Sequence, residues 1–435
     1  MLPKFLEPIL VLAGLIHFRF RSSRYCYEDK AVVKVDQYKQ LKRLLCVAYD
    51  EIPFYRNKYI DAGFDPHSDF NTLEQFSNVP LLSKVEARSF QDELINKKRS
   101  RFSLRFTTSG STGQPFTSFV SPRQWIIEQS CVWRHWSWAG YKFRDRMAIV
   151  RSHVPKNEHD LIKWDRLRNF IYFSPFHLTD DHIQIYLNEM VKMKIKFIRG
   201  YPSSIAAIAD FVRRHPSTKL PKFKAVLTAS ERLGSEQKCM IERYLCAPVF
   251  NHYGLAEQIV MFGGCERGAC MHNYEEYGYL ELLDSDDLHQ KKIIGTNFNN
   301  YAMPLIRYET GDLAEVSPDV CSCSRTSNIV VNVSGREDST ILLGDGSKIP
   351  VTNFYTMFEY YGDYFSAWQI IQKPNNQLHI VVDAYDRNQV VNLQIKLEED
   401  IKKRIGLKMI LSFNFNGNFH QVSEGKRNPF VRLNE

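Results

Sequence analysis

Between residues 147 and 252, short apolar runs alternate with stretches of helical period, and this alternation restricts the chain to a narrow group of folds. Residues 147–150 (Met-Ala-Ile-Val) read as a strand. Residues 181–196 carry Ile185, Leu187, Met190 and Val191 on a helix-like face, and 197–198 reads as a strand again. A helix follows over 203–213, with Ile205, Ile208, Phe211 and Val212 on it and Pro202 at the first-turn position that proline favours. A strand at 225–227, a helix at 236–245 and a strand at 248–252 complete the pattern. Strand–helix–strand repetition with short connections predicts an α/β fold, a mainly parallel sheet covered by helices, with ligands at the carboxyl ends of the strands. After Gly335 the texture changes. Short strands at 340–343, 368–372, 378–382 and 409–414 surround helical patterns at 353–360 and 388–404, which is a small α+β unit. The boundary falls at 336–338 and divides the chain into a large domain (1–336) and a small, mobile one (337–435).

Composition narrows the function classes. A length of 435 residues suits two domains, and 44% apolar with 24% charged residues is globular rather than disordered. The net charge of +8 comes from 57 basic and 49 acidic residues that are interspersed, so no block tracks a phosphate backbone and nucleic acid is not an expected partner. Nine cysteines, an odd and mostly scattered set, point to a reducing compartment, hence the cytoplasm. The apolar run 9–16 is far shorter than the ~20 residues that span a bilayer, and no small-residue cleavage site follows it. It reads either as a first helix packed on the domain or, with Arg19, Arg21 and Arg24 behind it, as a basic-edged helix resting on an anionic membrane surface.

The segment Thr107-Thr108-Ser109-Gly110-Ser111-Thr112-Gly113 consists wholly of Thr, Ser and Gly. Glycines let successive N–H groups turn into one concavity and the hydroxyls add donors, a combination suited to phosphate oxygens. No Gly-Lys-Ser/Thr ends the run, so it is not a Walker A loop. Taken alone, it reads equally as a mobile turn.

Three further segments change that weighting: Tyr253-Gly254-Leu255-Ala256-Glu257, the run from Met303-Pro304-Leu305-Ile306-Arg307 to Tyr308-Glu309-Thr310-Gly311-Asp312-Leu313, and Gly335-Arg336-Glu337-Asp338. In this order and spacing the chain resembles the adenylate-forming superfamily of acyl-CoA synthetases, luciferases and peptide-synthetase adenylation domains. It is most similar to the branch of phenylacetate–CoA ligases and CapK-type capsule-biosynthesis proteins, and Arg199-Gly200-Tyr201-Pro202-Ser203-Ser204 resembles that branch too. The resemblance spans residues 38–427. It implies that the Thr107–Gly113 loop holds the β- and γ-phosphates of ATP, Glu257 binds Mg²⁺, Tyr253 (before Gly254) stacks on adenine and Asp312 accepts the ribose hydroxyls. Arg336 would sit near the nucleotide and Asp338 would be the hinge of the small domain. Lys426, after Gly425, matches the lysine that swings in for the first half-reaction, where a long cation bridges carboxylate and α-phosphate.

Cysteines provide a second chemical signal. Cys265 and His272 precede Cys321-Ser322-Cys323 by about fifty residues, a Cys₃His set suited to tetrahedral Zn²⁺, and this C-x6-H…C-x-C arrangement is similar to that of metal-bearing members of the branch. Cys270 competes with His272 for the fourth position, and unligated small hydrophobes are the plainer reading. Other conspicuous features have bland readings. The aromatic run 131–138 is helix core, and Ser152 with His153 lacks a third member of a hydrolase triad.

The resemblance therefore implies an AMP-forming acid–thiol or acid–amine ligase, EC 6.2.1-like. Its expected partners are ATP, Mg²⁺, a small carboxylic acid and, by default, CoA. Two alternatives stand beside it: a CapK-like ligase acylating a carrier thiol or sugar amine in surface polysaccharide biosynthesis, and a non-catalytic nucleotide-binding partner in envelope synthesis. The acyl pocket is expected along 172–177 and 228–231 toward Tyr253, aromatic enough for an aryl or medium acyl group. Any membrane contact is expected to be peripheral, at the inner face.

Overall fold

The computed structural model describes residues 7–107, 116–151, 153, 161–175, 178–231, 233–268, 270–285, 290–316, 321–327, 329–330, 332–334, 340–351, 354, 357–358, 360–361, 364–384, 386, 390–406, 409–417, 419–420 and 430–433. Phosphate-loop residues from Thr108 to Gly113, together with Arg336, Asp338 and Lys426, lie outside these. Of Thr107 only the backbone is described.

Local chemistry starts most helices. Helix α1 (Glu7–His17) continues through a π-helical turn (Phe18–Ser22) into α2 (Ser23–Tyr25). Helix α3 (Lys30–Glu51) begins at Asp29, whose carboxylate accepts the Ala31 N–H at 2.7 Å, and α4 (Pro53–Asp61) opens on proline. Ser83 caps α5 (Lys84–Ser89), Ser121 caps α6 (Pro122–Trp138) and Thr179 caps α7 (Asp180–Lys192). Each such cap contributes about 1 kcal/mol by satisfying a first-turn N–H. Helices α8 (Pro202–Arg214), α9 (Ser235–Leu245) and α10 (Val390–Ile405) complete the set used below.

Strands β1 (Leu104–Thr107) and β2 (Thr117–Val120) bracket the Ser/Thr/Gly run and form a two-stranded sheet. Next come β3 (Met147–Val150), β4 (Ile162–Asp165), β5 (Phe170–Phe173), β6 (Phe197–Gly200) and β7 (Ala225–Ala229). They are followed by β8 (Val249–Gly254), β9 (Met261–Gly264), β10 (Met271–Asn273), β11 (Gly278–Asp284), β12 (Lys291–Asn297), β13 (Tyr308–Glu315), β14 (Ile329–Val330) and β15 (Asn332–Ser334). Toward the C-terminus lie β16 (Thr340–Leu342), β17 (Lys348–Pro350), β18 (Phe365–Lys373), β19 (Gln377–Ala384), β20 (Ile410–Asn414) and β21 (Phe430–Arg432).

Two compact units divide the described residues: those within 1–106, 117–143 and 248–336, and those within 107–116, 144–247 and 337–435. In the first, β14-β10-β9-β8 and β11-β12-β13-β15 run in antiparallel order. In the second, β7, β6, β3 and β5 are parallel neighbours, with β4 antiparallel at the edge. The described residues of β3 and β7 are all buried, as expected for parallel strands covered on both faces, and α8 packs on β6, β7 and α9. The C-terminal part carries a smaller sheet, β20-β19-β18-β21, over a core that includes Phe354, Phe358, Trp368, Leu397 and Ile401. The fold is the expected α/β class with a parallel-rich sheet. Of the expected helix at 353–360, residues 354, 357–358 and 360 are described, and they are helical.

The apolar run near the N-terminus packs on the protein. Val11 and Gly14 face inward, a Cβ on Gly14 would meet Trp133 of α6 at 3.0 Å, and His17 Nδ1 lies 2.8 Å from Ser130 Oγ. Behind it, the Arg134 guanidinium, 1% exposed, is paired with Glu276, donates to Ser22 O at 3.0 Å and lies 4.2 Å over the Tyr274 ring. Among the described residues, no helix is long and apolar enough to cross a membrane.

Candidate active site and metal centre

Two motif segments meet in the first unit. Tyr253 sits at the end of β8, where its ring stacks on Phe262 of β9 with centroids 5.1 Å apart. Its hydroxyl donates to Asp312 Oδ2 at 2.7 Å. Burial, and then the Asp312 charge, push the Tyr253 phenol well above its ordinary value, so it stays a proton donor. Glu257, four residues past Tyr253, is 3% exposed, and its Oε1 accepts the Tyr308 hydroxyl at 3.2 Å. Two carboxylates and two phenols thus form two hydrogen-bonded pairs.

Asp312 owes its position to an irregularity in β13. On one side of it Glu309 pairs with Ile294, and on the other Leu313 pairs with Lys292, so Thr310, Gly311 and Asp312 lie opposite Ile293 alone. This is a β-bulge, the device that re-aims a side chain from an otherwise regular ladder. Gly311 takes φ +75°, open to glycine at no cost. The Thr310 hydroxyl binds both sides of the bulge, donating to Ile293 O at 2.8 Å and accepting the Asp312 N–H at 3.1 Å. At the start of the strand, Arg307 binds Glu281 through Nε and Nη2 (3.0 and 2.8 Å) and donates through Nη1 to Ser77 O at 2.7 Å. Its place in the motif is accounted for by this clamp, a role the sequence reading did not assign.

The cysteine–histidine set also assembles. The ligand atoms of Cys265, His272, Cys321 and Cys323 all lie within 4.8 Å of one another. Cys265 Sγ is 3.6 Å from Cys321 Sγ, and Cys323 Sγ is 3.1 Å from His272 Nε2. A Zn–S bond of about 2.3 Å implies sulfurs about 3.8 Å apart in a tetrahedron, so the spacing fits. Cys270 Sγ stands 3.9 Å from His272 Nε2 and also interacts with the Cys265 and Cys321 thiols, beside the mutually close set of four.

Electrostatics acts unequally on the four donors. Burial, then Arg325, hold His272 down to about 4, so it is neutral at ordinary pH. Its Nδ1 lies 3.2 Å from Ser327 Oγ, which leaves Nε2 toward the sulfurs in the manner of an outer-shell partner. Burial lifts the Cys265 and Cys321 thiols to about 11. Burial acts on Cys323 as well, but hydrogen bonds from Arg325 outweigh it and hold that thiol below its ordinary value. Arg325 is itself fixed 4.1 Å over the Trp138 ring and bonded to Glu266 at 3.0 Å. Neither Ser327 nor Arg325 carried a sequence signal, because single residues near a ligand run are indistinguishable from turn chemistry.

No family model matches the chain. It is similar to Protein CapK of Staphylococcus aureus, 21% identical over 451 residues covering 96% of this chain and 94% of CapK. It is also similar to phenylacetate-coenzyme A ligase of Thermus thermophilus, 24% identical over 318 residues and 71% of each chain. Among solved structures, 2-hydroxyisobutyryl-CoA ligase in the postadenylation state with R3-HIB-AMP aligns at TM-score 0.58 and 17% identity, over 93% of this chain and 90% of that one. These relatives and neighbours are of the adenylate-forming superfamily, as the motifs implied, and the fold is that of its ligases.

Proposed function

We propose that this protein is an AMP-forming ligase that activates a small carboxylic acid with ATP, releases pyrophosphate and passes the acyl group to CoA. The observation that carries this reading is the pairing of Tyr253 with Asp312 and of Glu257 with Tyr308, built from the two motif segments. Similarity to phenylacetate-coenzyme A ligases and to 2-hydroxyisobutyryl-CoA ligase supports it. The reaction brings a carboxylate onto a polyanion, so positioning and charge neutralisation supply most of the rate. In this reading Thr107–Gly113 cradles the phosphates, Glu257 takes Mg²⁺ and Tyr253 lies against adenine. Asp312 binds ribose, Arg336 neutralises phosphate charge, and Lys426 enters as the segment beyond residue 336 turns about Asp338.

Similarity to CapK over nearly the whole chain favours a second acceptor, a carrier thiol or sugar amine in surface polysaccharide synthesis. The Cys265–His272–Cys321–Cys323 set holds one Zn²⁺ in a structural role. Peripheral contact with an anionic membrane face is supported by α1, where Ile9, Leu12 and Ile16 are more than half exposed and Arg19 and Arg21 follow. Carboxylate-dependent pyrophosphate release across a panel of acids, without and then with CoA, tests the main reading. Release without CoA is the expected result; ATP binding without release from any acid would leave a non-catalytic nucleotide-binding partner instead.

A further inference from the structure

The carboxyl edge of the parallel strands in the second unit carries two arginines, Arg151 and Arg199. Strand register aligns Lys163, Tyr172, Ile149, Arg199 and Leu227 across β4, β5, β3, β6 and β7, so these side chains leave one face of the sheet. Two residues beyond Arg199, Tyr201 continues in extended backbone (φ −68°, ψ 140°), which returns its ring to the same face. The Arg151 guanidinium, just past β3, lies over that ring at 5.3 Å from its centroid. Gly200 keeps the two strands close, because a Cβ there would meet Val150 O at 2.9 Å and Ile205 Cδ1 at 2.9 Å.

Arg151 and Arg199 are both half-buried, and Tyr201 is buried beside them. Burial, then the Asp165 charge, push the Tyr172 phenol up, and the Arg168, Arg199 and Arg151 guanidiniums partly offset that push. Asp165, the carboxylate whose charge also reaches Tyr172, is engaged by Arg168 at 3.0 Å. Planar guanidiniums on adjacent strands match the paired oxygens of a carboxylate or phosphate. Ligands of parallel α/β sheets bind at this edge.

We propose that Arg151 and Arg199 form an anion subsite, and that the acid activated by this protein carries a second anionic group, a carboxylate or phosphate ester, remote from the carboxylate that is adenylated. The inference rests on the ligase reading above and narrows its substrate class. An aromatic lining expected from the sequence at 172–177 is thereby joined by charge that its residue types did not reveal.

Pyrophosphate release is to be compared for dicarboxylates from succinate to sebacate against their monomethyl esters, and for phosphorylated hydroxy acids against the parent acids. The proteins are the natural chain, Arg151→Gln, Arg199→Gln and Arg199→Lys, each checked by circular dichroism. For the preferred length, the dianion should exceed its monoanionic partner in kcat/KM by about tenfold or more, the scale of a charge-assisted hydrogen bond. Both glutamine variants should erase that preference while the KM for ATP stays unchanged, and Arg199→Lys should restore part of it. Carboxylate and phosphate arms then tell which anion is held. Equal kcat/KM within every pair, or variants that raise the KM for ATP with all acids alike, would overturn the subsite. Silence with every acid defeats the ligase reading instead. Dicarboxylate binding followed by thermal shift, with and without the two arginines, then decides the subsite alone: stabilisation lost in the variants upholds it, and none in the natural chain overturns it.

Discussion

The cysteine–histidine cluster and the tyrosine–carboxylate pairs lie in the same unit and are assembled by opposite means. Cys265, Cys270 and His272 sit on the β9–β10 hairpin, and Cys321 and Cys323 on the turn leading to β14, which pairs with β10. Neighbouring strands are enough to bring the donors together. Tyr253, by contrast, lies in β8 and Glu257 just past it, whereas Tyr308 and Asp312 belong to β13 of another sheet, and a bulge is needed to aim the aspartate. Both sets join residues more than fifty apart in the chain, so the difference lies in adjacent strands against two separate sheets; the cysteine–histidine set is expected to act on folding and the tyrosine–carboxylate set on chemistry. The two are therefore separable by mutation.

The largest effect is expected at the cluster. Cys321→Ser should abolish stoichiometric zinc, measured by elemental analysis, and lower the melting temperature and soluble yield, because metal binding is coupled to folding. Adenylation per folded molecule should change little. Freshly purified natural protein without a transition metal would collapse the contrast. Next in size is Glu276→Ala, which strands the buried Arg134 and should cost about 3–5 kcal/mol in denaturant unfolding. This tests whether a buried pair outside the motif segments outweighs the motif residues in stability.

Chemistry comes third. Lys426→Ala should cut adenylation by about 10²-fold and leave thioester formation from pre-made acyl-adenylate nearly intact, a split no folding defect produces. Equal loss in both half-reactions would remove Lys426 from this role. The smallest effect is a pH effect. Arg99 binds Glu51 through two nitrogens (2.6 and 2.7 Å), and with Asn96 it holds that carboxyl at about 2. A carboxyl depressed on folding contributes stability above its ordinary range near 4.5 and loses it as pH falls toward 2. Glu51→Gln should therefore cost about 1 kcal/mol or less near neutrality, with the difference fading through that acid window in urea titrations.

How much was legible in the sequence follows the same division. The parallel strands were readable because β3, β6 and β7 are apolar runs between helices of clear period. The Cys/His donors were readable because softness and spacing are both composition-level properties. Asp312 was legible as a motif residue, yet its bulge was not, since the two extra residues appear only once Glu309 and Leu313 are paired with Ile294 and Lys292. Arg307, Ser327 and Arg325 were missed for the same reason, as their partners are distant in the chain. Arg151 and Arg199 share a face through cross-strand register, which a single chain does not display.

The bulge at Thr310-Gly311-Asp312 has a parity consequence. Three residues face one, an excess of two, so the inward and outward positions of β13 stay in phase across it, with Tyr308 and Ala314 both buried. An even excess behaves as a cassette: residues can be exchanged, added or removed in pairs without turning the strand over. Loss of a single residue there would instead rotate Ala314 outward and Glu315 inward, and the damage would spread to β15, the next strand in the ladder. The aspartate is thus carried on an insert that the sheet tolerates because it counts in twos.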